Sequence, residues 1–206
     1  MSAFVPAVVA PAPWKSTVEA LLWVHPAAPG ARAALPRVLV SRAGLPLTIG
    51  GLIAYLDGPV GPYDEIFGAP VLLRGGAPLL SHVAFMAVNS AASVAGGRGN
   101  WALPKVLATF AAEGSDGVTG RGEDWSVQVT AAVRARRMPF AAAFACAQVW
   151  PDAEVRTFTV RMRGRARLAR VAVQHAAPSA LGRWLVDGHH LGVAISGVQD
   201  VSPAVA

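Results

Sequence analysis

Lys105 carries the most chemical promise in this 206-residue chain. The sequence holds sixteen arginines but only two lysines, Lys15 and Lys105. Lys105 stands in an apolar stretch, Trp101-Ala102-Leu103-Pro104-Lys105-Val106-Leu107-Ala108. A guanidinium stays protonated under all ordinary conditions, whereas a buried ammonium sheds its proton and can then attack a carbonyl carbon. A free lysine has a pKa of ~10.4, so about one amine in 2,500 is neutral at pH 7. Burial or a nearby cation raises that fraction. Residue type and setting together make Lys105 a candidate covalent catalyst. The competing reading is a stem packed on apolar surface with its amine reaching solvent.

Two clusters surround this chemistry. One is Gly61-Pro62-Tyr63-Asp64-Glu65; the other runs from Gly97-Arg98-Gly99-Asn100-Trp101 to Pro104-Lys105. Glu65 is read either as a solvated carboxylate beside a turn or as a proton shuttle next to the amine. An ion pair between Glu65 and Lys105 would hold the ammonium and oppose activation. Arg98 follows a helix end, where capping a carbonyl competes with binding a substrate. Tyr63 and Trp101 read as pocket walls. His82 could reach the pocket from the strand before the helix, and a core or surface histidine is the plainer reading.

These clusters resemble the acetoacetate decarboxylase-like superfamily over roughly residues 48–110. That family carries a Tyr-x-Glu element, a short helix ending in Gly-Arg, and a Pro-Lys element whose lysine forms the Schiff base. By the resemblance Lys105 and Glu65 are the catalytic candidates, and Arg98, Tyr63 and Trp101 the substrate-binding ones. Acetoacetate decarboxylase is itself the standard example of a lysine activated by desolvation or a cationic neighbour. The resemblance implies a mainly β fold with few helices. It would be a closed antiparallel β-barrel with a short helix before the Pro-Lys element, in subunits that oligomerise. The ligand it implies is a small keto acid or related carbonyl compound, used without a cofactor. The protonated imine would draw electrons from the adjacent carbon, supporting decarboxylation or an aldolase- or dehydratase-type step.

Three positions depart from the family pattern. Val106 stands where true decarboxylases carry a second lysine. Gly50-Gly51 stand where they carry an upstream glutamate. Thr17, with Lys15 close by, stands where they carry a carboxylate-binding arginine. The chain therefore reads as a divergent lyase using the same lysine. The alternative is a non-catalytic barrel that binds a small ligand.

Short β-branched or apolar runs, separated by glycine, proline and aspartate turns, must position these residues. Strands are expected over 15–24, 35–40, 48–56 and 81–88, with an apolar segment over 63–73 and a turn at Arg74-Gly75-Gly76. A short helix is expected over 89–97, capped by Asn89 or Ser90 and ended by the glycine pair. Further strands are expected over 106–110, 117–121, 125–133, 141–150, 157–163 and 167–173. Residues 1–13 read as an extended arm on a single domain spanning 1–206.

Composition bounds the partners. Hydrophobic residues make up 53% and charged residues 15%, which suits a large interior or subunit interfaces; the homo-oligomer is what the resemblance implies. The net charge is +6, with a dense source at Arg161, Arg163, Arg165 and Arg167. Period two puts these on one strand face, read as a solvated outer wall. No helix-turn-helix, zinc-finger or RNA-recognition signature accompanies them, which argues against a nucleic-acid partner. The single cysteine, Cys146, lies in an apolar run and reads as a buried, inert thiol. His25, His175 and the His189-His190 pair lack ligand spacing, so no metal is expected. The first thirteen residues lack a basic region and are broken by prolines, unlike a signal peptide. No apolar run approaches membrane length. A soluble, cytoplasmic protein without a membrane partner is expected.

Overall fold

The computed structural model describes residues 10–75, 79–114, 117–176 and 179–206. Positions 1–9 of the expected arm and Gly76 of the expected turn lie outside the described residues. Alternation of side chains builds the first strand. In β1 (Trp14–Pro26), Trp14, Ser16, Val18 and Ala20 are buried, while Lys15, Thr17 and Glu19 are exposed. A pleated strand sends successive side chains to opposite faces, so this pattern commits one face inward. A one-turn helix, α1 (Arg37–Val40), follows. Then come β2 (Leu47–Asp57), β3 (Tyr63–Ala69), β4 (Leu72–Leu73), β5 (Leu79–Ser81) and β6 (Phe85–Val88). Helix α2 (Ala91–Trp101) leads to β7 (Lys105–Leu107), β8 (Thr109–Glu113), β9 (Gly117–Arg121) and β10 (Ser126–Val133). Three long strands complete the chain: β11 (Met138–Val149), β12 (Val155–His175) and β13 (Gly188–Val201).

All of these strands join one sheet, ordered β4-β5-β11-β12-β13-β1-β2-β3-β6-β7, with β10, β9 and β8 branching from β12. Among the described residues the end strands β4 and β7 do not pair with each other. The sheet is therefore an open, curled half-barrel, which corrects the closed barrel expected from the sequence. It is also mixed rather than wholly antiparallel. β6 and β7 run parallel, as do β5 and β11. Parallel neighbours need a crossover connection, and α2 supplies it between β6 and β7.

Several expected strands change form. The 35–40 segment is helical, because α1 starts after Pro36, whose fixed φ suits a helix entry. The 81–88 run splits into β5 and β6, since Ser81 pairs with β11 while Phe85–Val88 pair with β3. The 106–110 run likewise divides between β7 and β8, which pair with different strands. Conversely, 157–163 and 167–173 merge into β12, whose amino-terminal part pairs with β11 and carboxy-terminal part with β10.

Packing occupies both faces of the sheet. One cluster contains Trp23, Leu39, Ile66, Val127, Val171 and Leu185. The opposite face carries two more, around Val18, Ile53, Tyr63 and Met162, and around Trp14, Met86, Trp101 and Phe158. Ile66 and its neighbour Glu65 thus face opposite ways. Among the described residues no helix is long and apolar enough to cross a membrane.

Candidate active site

Helix α2 is the element that sets Lys105 in place. The Ser90 side chain caps it, accepting from the Ser93 amide at 3.2 Å. The helix does not stop at the glycine pair. It continues to Trp101, and Ala102 ends it in the left-handed conformation at φ 50°. Gly96 and Gly97 serve packing instead. A Cβ on Gly96 would collide with the Trp14 ring, and one on Gly97 would collide with the Lys105 stem. The chain then turns into β7, where Lys105 pairs with Met86. The Arg98 Nε donates to the Lys105 carbonyl at 2.8 Å, which pins the strand start to the helix.

Strand alternation aims the side chains. Lys105 points inward and is 3% exposed, while Val106 points outward at 39%. Tyr63, Glu65 and Phe67 share the inward face of β3, and Ile53 and Tyr55 that of β2. These side chains enclose a cavity of about 110 Å³, completed by Trp14 and Ser16 of β1, Trp101, and apolar residues of β11, β12 and β13.

Polar contacts converge on one nitrogen. The Lys105 Nζ donates to the Glu65 Oε2 at 2.7 Å and to the Ser93 Oγ at 2.8 Å. It lies 5.1 Å from the centroid of the Tyr63 ring. The ammonium thus has two oxygen acceptors and an aromatic face for its three protons. Glu65 is 2% exposed, and its other oxygen, Oε1, accepts from the Tyr55 hydroxyl at 3.3 Å. The Gln199 Nε2 donates to that hydroxyl at 2.9 Å. The Tyr55 and Tyr63 rings stack at 4.2 Å. A buried ion pair needs such supporting bonds, because each charge has lost its water.

The surrounding groups are held neutral. Burial, then the charge of Glu65, pushes both tyrosine hydroxyls well above their ordinary range. They are donors at any working pH, not bases. Burial also pushes the Cys146 thiol up to about 11, so this cavity-lining cysteine stays a thiol.

The departures from the family pattern can now be placed. A Cβ at Gly51 would run into the Phe67 ring and Leu22, and one at Gly50 into the Trp23 ring. Aromatic carbon fills the space a second carboxylate would need. Val106 faces away from the amine, so a cation there would not point at the Nζ. Lys15 and Thr17 are exposed, and Ser16 between them faces the cavity.

Of the sequence-derived site residues, Lys105, Glu65, Tyr63 and Trp101 line this one cavity. Arg98 does not; it is exposed and holds a backbone carbonyl. The Trp101 indole nitrogen donates to the Ser202 carbonyl at 2.7 Å, which fixes that wall. His82 also lies away from the cavity, bonded to the Ala147 carbonyl at 3.0 Å. Sequence reasoning missed Ser93, Tyr55 and Gln199. Ser93 had a legible signal, a small polar residue one turn of helix before Gly97. Tyr55 and Gln199 had none, since their roles depend on strand register.

Comparison with known proteins shows the family and the fold. The sequence model described as acetoacetate decarboxylase matches residues 1–179. No curated protein matches the sequence. Solved structures similar in fold include an acetoacetate decarboxylase-like enzyme from Sphingomonas wittichii RW1, with a TM-score of 0.70 at 16% identity. That match covers 100% of this chain and 98% of the other. The enduracididine biosynthesis enzyme MppR complexed with pyruvate has a TM-score of 0.70 at 12% identity, covering 97% and 91%. The acetoacetate decarboxylase of Legionella pneumophila has a TM-score of 0.66 at 15% identity, covering 100% and 92%. With a family match over most of its length, and a fold shared with these enzymes, the chain belongs to the acetoacetate decarboxylase family as a divergent member.

Proposed function

We propose that this protein forms a Schiff base between Lys105 and a small carbonyl compound, and uses it for decarboxylation or for an aldolase- or dehydratase-type step. One observation carries the reading: the Lys105 Nζ is buried at the wall of an apolar cavity, 2.7 Å from a carboxylate that can exchange its proton. The ammonium passes a proton to Glu65, and the neutral amine adds to the carbonyl carbon. Glu65 returns the proton as the carbinolamine loses water. The resulting iminium keeps Glu65 as its counter-ion. Electrons from a bond to the adjacent carbon then flow into the iminium, leaving an enamine. Tyr55 orients Glu65 throughout, and Ser93 holds the nitrogen. Tyr63 and Trp101 flank the ligand, while Arg98 acts as a positioning residue through the Lys105 backbone. The pyruvate bound to the related MppR supports a carbonyl ligand here. The whole chain is proposed to work as one domain in a homo-oligomer. Val24 and Leu191, cross-strand neighbours that are 43% and 78% exposed, suit a subunit contact.

The test is borohydride reduction in the presence of small aldehydes, ketones and keto acids, followed by peptide mass mapping. An adduct on Lys105, lost in Lys105→Met, is expected. A compound that binds in the cavity without ever labelling Lys105 overturns the reading. It would favour the alternative of a binding-only cavity, in which Lys105 and Glu65 are only a buried pair in its wall. That alternative expects Lys105→Met to retain ligand affinity.

A further inference from the structure

The charge of the cavity narrows the substrate class beyond the proposed function. Lys105 is the cavity's lone cation among the residues that line it, and Glu65 already neutralises it. Every lysine, arginine and histidine of the chain is among the described residues. None besides Lys105 lines this space. The wall positions next in sequence to other basic side chains are Ser16, beside exposed Lys15, Val160 and Met162, beside exposed Arg161 and Arg163, and Ser81 and Val83, on either side of buried His82. Strand alternation turns the lysine and the arginines outward, and the His82 ring bonds the Ala147 carbonyl away from the cavity.

We infer that the cavity takes a neutral aldehyde or ketone with an apolar substituent, rather than a keto acid, which selects the aldolase- or dehydratase-type step of the proposed function over decarboxylation. The inference rests on Lys105 as the Schiff-base former for its chemistry, but on the wall residues for its selectivity. With a neutral carbonyl, the amine nitrogen bonds to the carbonyl carbon, the C–O bond breaks, and one water leaves. The cavity begins with an ammonium and a carboxylate and ends with an iminium and a carboxylate. Its net charge stays at zero throughout. A keto acid brings a further negative charge into a space with no free cation, where an unpaired carboxylate is strongly disfavoured. The substituent meets hydrocarbon instead, including Phe144, Phe158 and Met162. At about 110 Å³ the space is of the same order as a dry cavity of ~150 Å³ that admits benzene. A chain of about six carbons is therefore the scale of ligand to use.

The experiment treats the full chain with hexanal, 2-hexanone or 2-oxohexanoate, each with borohydride, and quantifies adducts on Lys105. Exposed Lys15 serves as the internal control for unselective labelling. Quenching of tryptophan fluorescence reports binding separately, because Trp14 and Trp101 line the cavity. Saturable labelling and quenching by the neutral compounds are expected. The keto acid should need about 100-fold higher concentration for either signal, given the penalty on an unpaired buried charge. Equal or tighter binding of 2-oxohexanoate overturns the inference, with or without an adduct. Tight binding of 2-hexanone and hexanal with no Lys105 adduct would leave this selectivity standing while removing the Schiff-base reading.

Discussion

Lys105 and Glu65 are paired in the interior, so removing one should leave the other without its partner. Lys105→Met leaves a carboxylate buried without its counter-ion, which is expected to destabilise the fold by about 3–5 kcal/mol. Adding Glu65→Gln to that variant removes the stranded charge and should restore most of the loss. Denaturant unfolding of the single and double variants checks this. If the double variant is no more stable than Lys105→Met alone, the pair is not an ion pair in the folded protein. Glu65→Gln alone should slow imine formation by about 10²–10⁴-fold, since a positioned acid–base group contributes on that scale. Stopped-time borohydride trapping measures that rate directly.

At the scale of elements, α2 and β7 act together as one bracket. Gly97 lets the Lys105 stem lie against the helix, and Arg98, one residue later, ties the lysine carbonyl to it. In an open helix interior, replacing glycine by alanine stabilises by roughly 0.5–1 kcal/mol. Here the sign should reverse. Gly97→Ala is expected to destabilise by about 1–3 kcal/mol through overpacking, and to move the Nζ off Glu65. Gly99→Ala, at an exposed position of the same helix, should be neutral or stabilising. Thermal unfolding of both, with Lys105 labelling as a second readout, separates the two cases. A stabilising Gly97→Ala would mean that the stem does not touch the helix.

For the molecule as a whole, two buried histidines are expected to contribute to the response to acid. Burial holds His82 and His25 below the ordinary histidine pKa. His82 is 6% exposed and donates its Nδ1 proton to the Ala147 carbonyl. In the unfolded chain each ring takes up a proton as pH falls through about 6.5, while the folded protein resists. The unfolded state then binds more protons, so stability is full above about pH 6.5 and declines below it. Melting temperature should fall between pH 7 and pH 5, and His82→Gln should flatten that slope. An unchanged slope in this variant would assign the acid sensitivity elsewhere. The arginine stripe is a surface feature: Arg161, Arg163 and Arg165 are exposed on β12, and Arg163 pairs with Asp200 across to β13 at 3.2 Å.

Local rules made much of this protein legible in its sequence. A lone lysine in an apolar run, a Tyr-x-Glu element and period-two strands all rest on chemistry within a few residues. They singled out Lys105, Glu65, Tyr63 and Trp101, which the fold gathers around one cavity, and the run at 117–121 coincides with β9. Tertiary structure decided the rest. Whether the sheet closes depends on pairing between its edge strands, β4 and β7, which periodicity within each strand cannot show. The same holds for Gln199 and Tyr55, 144 residues apart yet hydrogen-bonded, and for Ser93, brought to the amine by the crossover helix. The outward turn of Arg98 and Val106 likewise follows from how β7 leaves that helix. Side-chain type is a property of the residue, whereas convergence on one nitrogen is a property of long-range register.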